Sequence, residues 1–98
     1  MPRVEVREIR DDNGHRIGEA EFVDGKPHGR SRLWSTDGVL IEESHFLNGE
    51  YDGSYKTWWN NGKPKEAGAF ANGKRIGLYR WFSESGDLVQ EHNYGAAL

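Results

Sequence analysis

The sequence predicts an all-β protein, a single-layer twisted antiparallel meander of about eight short strands made of stacked β-hairpins with a 24-residue period. Three observations predict it: an internal repeat, regularly spaced turn dipeptides, and no helical periodicity. Written in lines of 24 residues, the 98-residue chain gives FVDGKPHGRSRLWSTDGVLIEESH from Phe22, FLNGEYDGSYKTWWNNGKPKEAGA from Phe46 and FANGKRIGLYRWFSESGDLVQEHN from Phe70. Phe22, Phe46, Phe70 and Tyr94 share the first column, Gly29, Gly53 and Gly77 the eighth, and Trp34, Trp58 and Phe82 the thirteenth. Residues 1–21 fit as a degenerate first unit that caps the array, with Gly14 in the seventeenth column and Ile9 in the twelfth. The organisation is therefore one domain, 1–98, with full repeats at 22–45, 46–69 and 70–93 and a tail at 94–98.

Each line carries two turn signals. Asn13-Gly14, Asp24-Gly25, Asp37-Gly38, Asn48-Gly49, Asn61-Gly62, Asn72-Gly73 and Ser85-Gly86 place their glycines alternately 11 and 13 residues apart. Such pairs favour hairpins because Gly and Asn tolerate positive φ. The structural turns are thus assigned to Gly25, Gly38, Gly49, Gly62, Gly73 and Gly86, and the strands fall near 3–12, 15–23, 28–36, 39–47, 51–60, 63–71, 76–84 and 87–94. No window places apolar residues at i, i+3, i+4 and i+7, and a glycine every dozen residues would break a helix.

Equivalent columns in neighbouring repeats lie two strands apart, roughly 9.5 Å, too far for rings to touch. Residues of the intervening strand must fill the gaps. If every loop has two residues, parity puts the Phe column on one face with Leu33, Leu40, Tyr55, Trp59, Tyr79, Trp81 and Leu88. The other face then carries Trp34, Trp58 and Phe82 with Ile17, Ile41 and Val89, beside the cross-strand pairs Arg32 with Glu43 and Arg80 with Glu91, while Lys56 faces Ala67.

Composition limits the function. Only 35% of residues are hydrophobic and 30% are charged, so the core is thin and aromatic. Cysteine is absent, which excludes thiol chemistry and thiolate metal sites and is compatible with a reducing cytoplasm. A formal charge of −3 disfavours nucleic acid and suits a basic partner. The N-terminal stretch alternates charge with Val and Ile, so it reads as a strand rather than a signal peptide or membrane span. Glu42 and Glu66 share a column about 9.5 Å apart and invite an acid–base reading, but as a repeat-encoded column they serve solvation or cross-strand pairing. No serine sits on a nucleophile elbow beside a histidine. His15, His28, His45 and His92 occupy different columns without ligand-like spacing, and no phosphate-cradling glycine motif occurs. No catalytic residue, metal or cofactor is assigned.

The Asp24-Gly25-Lys26-Pro27-His28-Gly29 and Asn72-Gly73-Lys74-Arg75-Ile76-Gly77 segments, each followed by an aromatic and a second x-Gly turn, resemble the MORN repeat. The longer spacing with Trp34 and Trp58 is similar to its bacterial variant in YwqK-type antitoxin proteins. The likeness spans residues 14 to 94. It implies a non-enzymatic protein-binding module, an antitoxin or immunity protein that neutralises a basic cognate toxin by direct contact. Other MORN proteins suggest the alternative of a scaffold for oligomers or membrane-associated complexes. The expected partner-binding residues are Trp34, Tyr55, Trp58, Trp59, Tyr79 and Trp81 with Glu42 and Glu66, because Trp and Tyr bury large area with few rotors to freeze and carboxylates complement a basic surface. Trp58 and Trp59 point to opposite faces, so one is expected to anchor the partner while the other packs internally.

Overall fold

The computed structural model describes residues 3–96; the predicted tail residues 97 and 98 lie outside the described residues. Nine strands form one open sheet: β1 (Val4–Arg10), β2 (Arg16–Val23), β3 (Lys26–Trp34), β4 (Leu40–Leu47), β5 (Glu50–Tyr51), β6 (Gly53–Trp58), β7 (Pro64–Ala71), β8 (Lys74–Phe82) and β9 (Leu88–Asn93). Every pairing is antiparallel; the strands follow chain order except that β4 pairs both the short β5, off the main path, and β6 beyond it. The molecule measures 41 × 39 × 14 Å, so one dimension is the thickness of a single sheet with its side chains. It contains no helix among the described residues.

The turns come in two kinds, and this explains the alternating spacing of the glycines. Asp24-Gly25, Asn48-Gly49 and Asn72-Gly73 have positive φ at both residues, 50° and 89° in the case of Asn48 and Gly49, which is the two-residue type I′ hairpin. At the other end of the strands, Ser35 N–H donates to Val39 O and Gly38 N–H to Ser35 O, closing a three-residue loop in which Gly38 alone has positive φ. Trp59 with Lys63 and Ser83 with Asp87 close identical loops.

These two turn types correct the sequence reading in three places. The strands after the tight turns begin at Lys26 and Lys74, two residues sooner than predicted, because Asp24-Gly25 and Asn72-Gly73 suffice to reverse the chain. The predicted fifth strand is two: the register slips between Phe46 opposite Tyr51 and Glu43 opposite Lys56, where Asp52 and the positive-φ Gly53 (112°) break the ladder. Each three-residue loop is followed by a bulge, since Leu33 pairs Glu42 but Trp34 pairs Leu40, and Trp81 pairs Gln90 but Phe82 pairs Leu88. Ile41 and Val89 are the extra residues there, as Ile17 and Lys65 are in the other two hairpins. Leu40 and Leu88 consequently stand opposite Trp34 and Phe82, on the face away from the Phe column, and Ile41 borders the face that carries Glu42 and Tyr55.

Cross-strand partners share a face. One face carries a ladder of charges, Glu19 opposite Arg32, Arg32 opposite Glu43, Glu43 opposite Lys56, Lys56 opposite Ala67 and Arg80 opposite Glu91. Arg32 Nε meets Glu43 Oε2 at 3.0 Å and Arg80 Nε meets Glu91 Oε2 at 3.2 Å. Solvated pairs of this kind contribute ~0.2–1 kcal/mol each. The other face holds the Phe column and its neighbouring tyrosines, and the core lies at its centre: Tyr79 is the one large side chain among the described residues with 0% exposure.

Repeats are joined at the tight turns. Gly49 N–H donates to Pro27 O at 2.8 Å and Gly73 N–H to Tyr51 O at 2.9 Å, the same bond one period apart. At the opposite end, Asn61 and Lys63 side chains donate to Glu84 O and Ser85 O of the following loop.

Candidate partner-binding face

The ring face is assembled from residues that the repeat places two strands apart, bridged by the strand between. Phe46 stacks on Tyr51 at 4.6 Å between centroids, Tyr51 meets Phe70 at 5.1 Å, Tyr55 meets Phe70 at 5.3 Å, Phe70 meets Tyr79 at 6.3 Å, and Tyr79 meets Trp81 at 4.7 Å and Tyr94 at 6.0 Å. All lie within the range in which aromatic pairs attract. Seven rings thus form one continuous track over the second and third repeats. Tyr51 supplies a bridge that sequence reasoning missed, because its column partners are Pro27 and Arg75 and no residue type recurs there. Arg75 was missed for the same reason; its guanidinium carbon sits 4.8 Å from the centroid of Tyr79.

Tyrosine hydroxyls tie the track to two carboxylates. Tyr55 Oη donates to Glu42 Oε1 at 3.1 Å and Tyr79 Oη to Glu66 Oε1 at 3.3 Å, while Thr57 Oγ1 donates to Glu66 Oε2 at 2.9 Å. Glu42, Thr57 and Glu66 are successive partners across three strands. Burial, and secondarily the Glu66 carboxylate, push the Tyr79 phenol up to about 12. Burial followed by Glu42 raises the Tyr55 phenol strongly above its ordinary value. Both therefore remain hydroxyl donors at neutral pH.

Between these carboxylates lies a shallow depression of about 400 Å³, lined by Leu33, Ile41, Glu42, Tyr55, Glu66 and Trp59 among others. Trp59 is held at its rim: its Nε1–H donates to Phe82 O at 3.2 Å and Lys65 Nζ sits 4.7 Å from its ring centroid. The structure brings together Tyr55, Trp59, Glu42 and Glu66 around this depression, with Tyr79 and Trp81 adjoining through Glu66. It does not bring Trp34 to the site, and its column mate Trp58 stands outside the ring track although it lines the depression. Trp34 stands opposite Leu40 and Trp58 opposite Pro64, in the row next to the charge ladder, and Arg16 covers the Trp34 ring at 4.6 Å.

Two further features bear on chemistry. Among the described residues no group of three or more His, Asp or Glu side chains is placed to hold a metal ion. His15 meets Asp11, His28 accepts from Asn48 N–H, His45 meets Ser54 and His92 packs on Tyr94, four separate local contacts. The carboxylate pair Glu42 and Glu66 is flanked by hydroxyl donors, without a histidine or serine pair beside it.

A family model described as MORN repeat variant matches three consecutive segments, residues 27–48, 51–72 and 75–95, about two thirds of the chain. The chain belongs to the MORN repeat variant family. Comparisons with curated proteins and with solved structures each returned no match. The three matched segments run from one tight-turn strand to the next, so each contains one three-residue loop and ends near the hinge that joins it to its neighbour. MORN repeats of this kind constitute a binding or scaffolding module, and the all-β MORN architecture is in general non-enzymatic.

Proposed function

We propose that this MORN repeat protein is a protein-binding module that holds its partner on the ring face, and that it acts in the bacterial cytoplasm as an antitoxin or immunity protein covering the working surface of a basic toxin. The observation that carries the reading is the depression between Glu42 and Glu66, where Trp59 and Tyr55 offer anchor-type rings beside two carboxylates on an uncovered face. A basic residue of the partner lying there would gain charge complementarity and an aromatic wall together. The overall charge of −3 would steer a cationic partner towards it.

The test is rescue of growth. The protein encoded by the neighbouring gene is expressed alone and together with this chain, as wild type and as Trp59→Ala or Glu42→Lys. Growth arrest relieved by the wild type and by Arg80→Ala, in the charge ladder of the opposite face, but not by Trp59→Ala supports the reading. Rescue by every variant removes the ring face from it, and absence of arrest removes the toxin.

A scaffolding role is the second reading, favoured by exposed apolar side chains on the last two strands, Leu78, Leu88 and Val89. Sedimentation at increasing concentration separates the two, since a scaffold of this type would self-associate without a partner.

A further inference from the structure

The ring face is continuous over the second and third repeats and interrupted over the first. Around Tyr79 the repeat supplies a wall from Phe70, a floor from Gly68, a second wall from Trp81 and an acceptor from Glu66. Two periods earlier the same columns read Phe22, Ala20, Leu33 and Gly18, and the place of the tyrosine itself is taken by Ser31. The walls persist while the ring is missing. A cavity of about 290 Å³ occupies that place, bordered by Phe22, Ala20, Ser31, Leu33, Ile9 and Arg7 together with Glu8 and Glu19.

The lining says which ring fits. Arg7, which stands opposite Ala20 and borders the cavity, holds the Phe22 wall through its guanidinium, 4.1 Å from the ring centroid. At the end where Tyr55 and Tyr79 find Glu42 and Glu66, this repeat has Gly18, and the space of its absent side chain is closed by Leu33 Cδ2 and Ile9 Cδ1, 3.0 and 3.4 Å from where a Cβ would stand. The Glu8 and Glu19 carboxylates are engaged by Arg10, Arg16 and Arg32, so a hydroxyl buried there would have to compete with these arginines for an acceptor, which a phenyl group does not need.

We propose that this vacancy is a seat for a phenylalanine side chain donated by the bound protein, completing the ring track over the first repeat. It rests on the reading that the chain binds a protein on this face. The depression beside Trp59 and the seat share Leu33 as a common wall, so one partner can fill both.

The test uses the full chain labelled at Ala, Ile and Leu methyl groups and titrated with N-acetyl-phenylalaninamide as the probe, with the tyrosine and leucine amides as comparisons. The phenylalanine amide should produce saturable shifts concentrated at Ile9, Ala20 and Leu33, and the tyrosine amide should bind about tenfold more weakly because the nearby carboxylates are already paired with arginines. Ser31→Tyr, which fills the seat from within, should abolish the shifts. Ala20→Leu blocks the floor independently should the first variant fail to fold. Absent or scattered shifts, equal binding of the tyrosine or leucine amide, or persistence of the shifts in a folded blocked variant overturns the proposal. The titration needs no partner, so its failure leaves the growth rescue standing, and failure of the rescue with a successful titration counts against the proposed function and not the seat.

Discussion

The ring of Tyr79 lies flat over Gly68, occupying the space where any side chain at position 68 would begin. Gly68 is an ordinary strand residue without positive φ, so its lack of a side chain is required by this contact and not by its backbone. Gly68→Ala is therefore expected to destabilise by ~1–3 kcal/mol through overpacking, although alanine suits a strand better than glycine. For a domain of this size that is a fall in Tm of roughly 4–8 °C per kcal/mol. Gly18→Ala, which meets the movable ends of Leu33 at 3.0 Å and Ile9 at 3.4 Å, should lose less. Thermal melts of the two variants check the order, and equal losses would contradict it.

The tight turns offer a conformational test. Gly49 has φ 89° and its N–H reaches Pro27 O in the preceding repeat. Gly49→Val should cost well over ~1 kcal/mol, whereas Glu50→Ala beside it, exposed, should stay within about ±0.5 kcal/mol. Urea denaturation measures both.

Alkaline pH should act through the buried tyrosine. The Tyr79 phenol is raised from 10.0 to about 12 by burial and by Glu66, with Arg75 opposing. The folded state thus favours the neutral phenol, a contribution fully present below pH 10 and lost as pH climbs to about 12. The urea midpoint should fall across that window, and Tyr79→Phe, compared at each pH with the wild type, should flatten part of the fall.

The charge ladder has one gap. Ala67 stands between Lys56 and Arg80, where Glu19, Glu43 and Glu91 stand in the other units. Ala67→Glu is expected to stabilise by ~0.2–1 kcal/mol at low salt, with the gain shrinking as salt rises. Destabilisation at all salt concentrations would mean that the ladder gives no net attraction.

The repeat made most of the fold legible, since five recurring columns and seven x-Gly pairs leave few arrangements other than a meander. It did not distinguish the turns. Asn48-Gly49 and Asn61-Gly62 are the same dipeptide, yet Asn48 has positive φ and Asn61 does not, because one closes a two-residue loop and the other ends a three-residue loop. That difference creates the bulges at Ile41 and Val89, which moved Leu40 and Leu88 to the other face. At the candidate site, parity put Tyr55 and Trp59 on one face and the repeat put Glu42 and Glu66 in one column, but their meeting around one depression was not legible. Tyr51 did not, because a contact made by one repeat alone leaves no periodic trace. Nor did the binding of Glu66 by both Thr57 and Tyr79, which depends on side chains from three strands converging on one carboxylate.

The bonds from Gly49 to Pro27 and from Gly73 to Tyr51 fasten each unit to the one before it by backbone atoms alone, whatever side chains the neighbours carry. Such a joint is indifferent to how many times it is used. A further 24-residue unit spliced in at the tight turn would add two strands and lengthen the molecule by about 9.5 Å without disturbing either terminal hairpin. The chain is in this sense an adjustable ruler, and the reach of its binding surface can be changed by duplication or deletion of whole units in single steps, with no need to redesign a core.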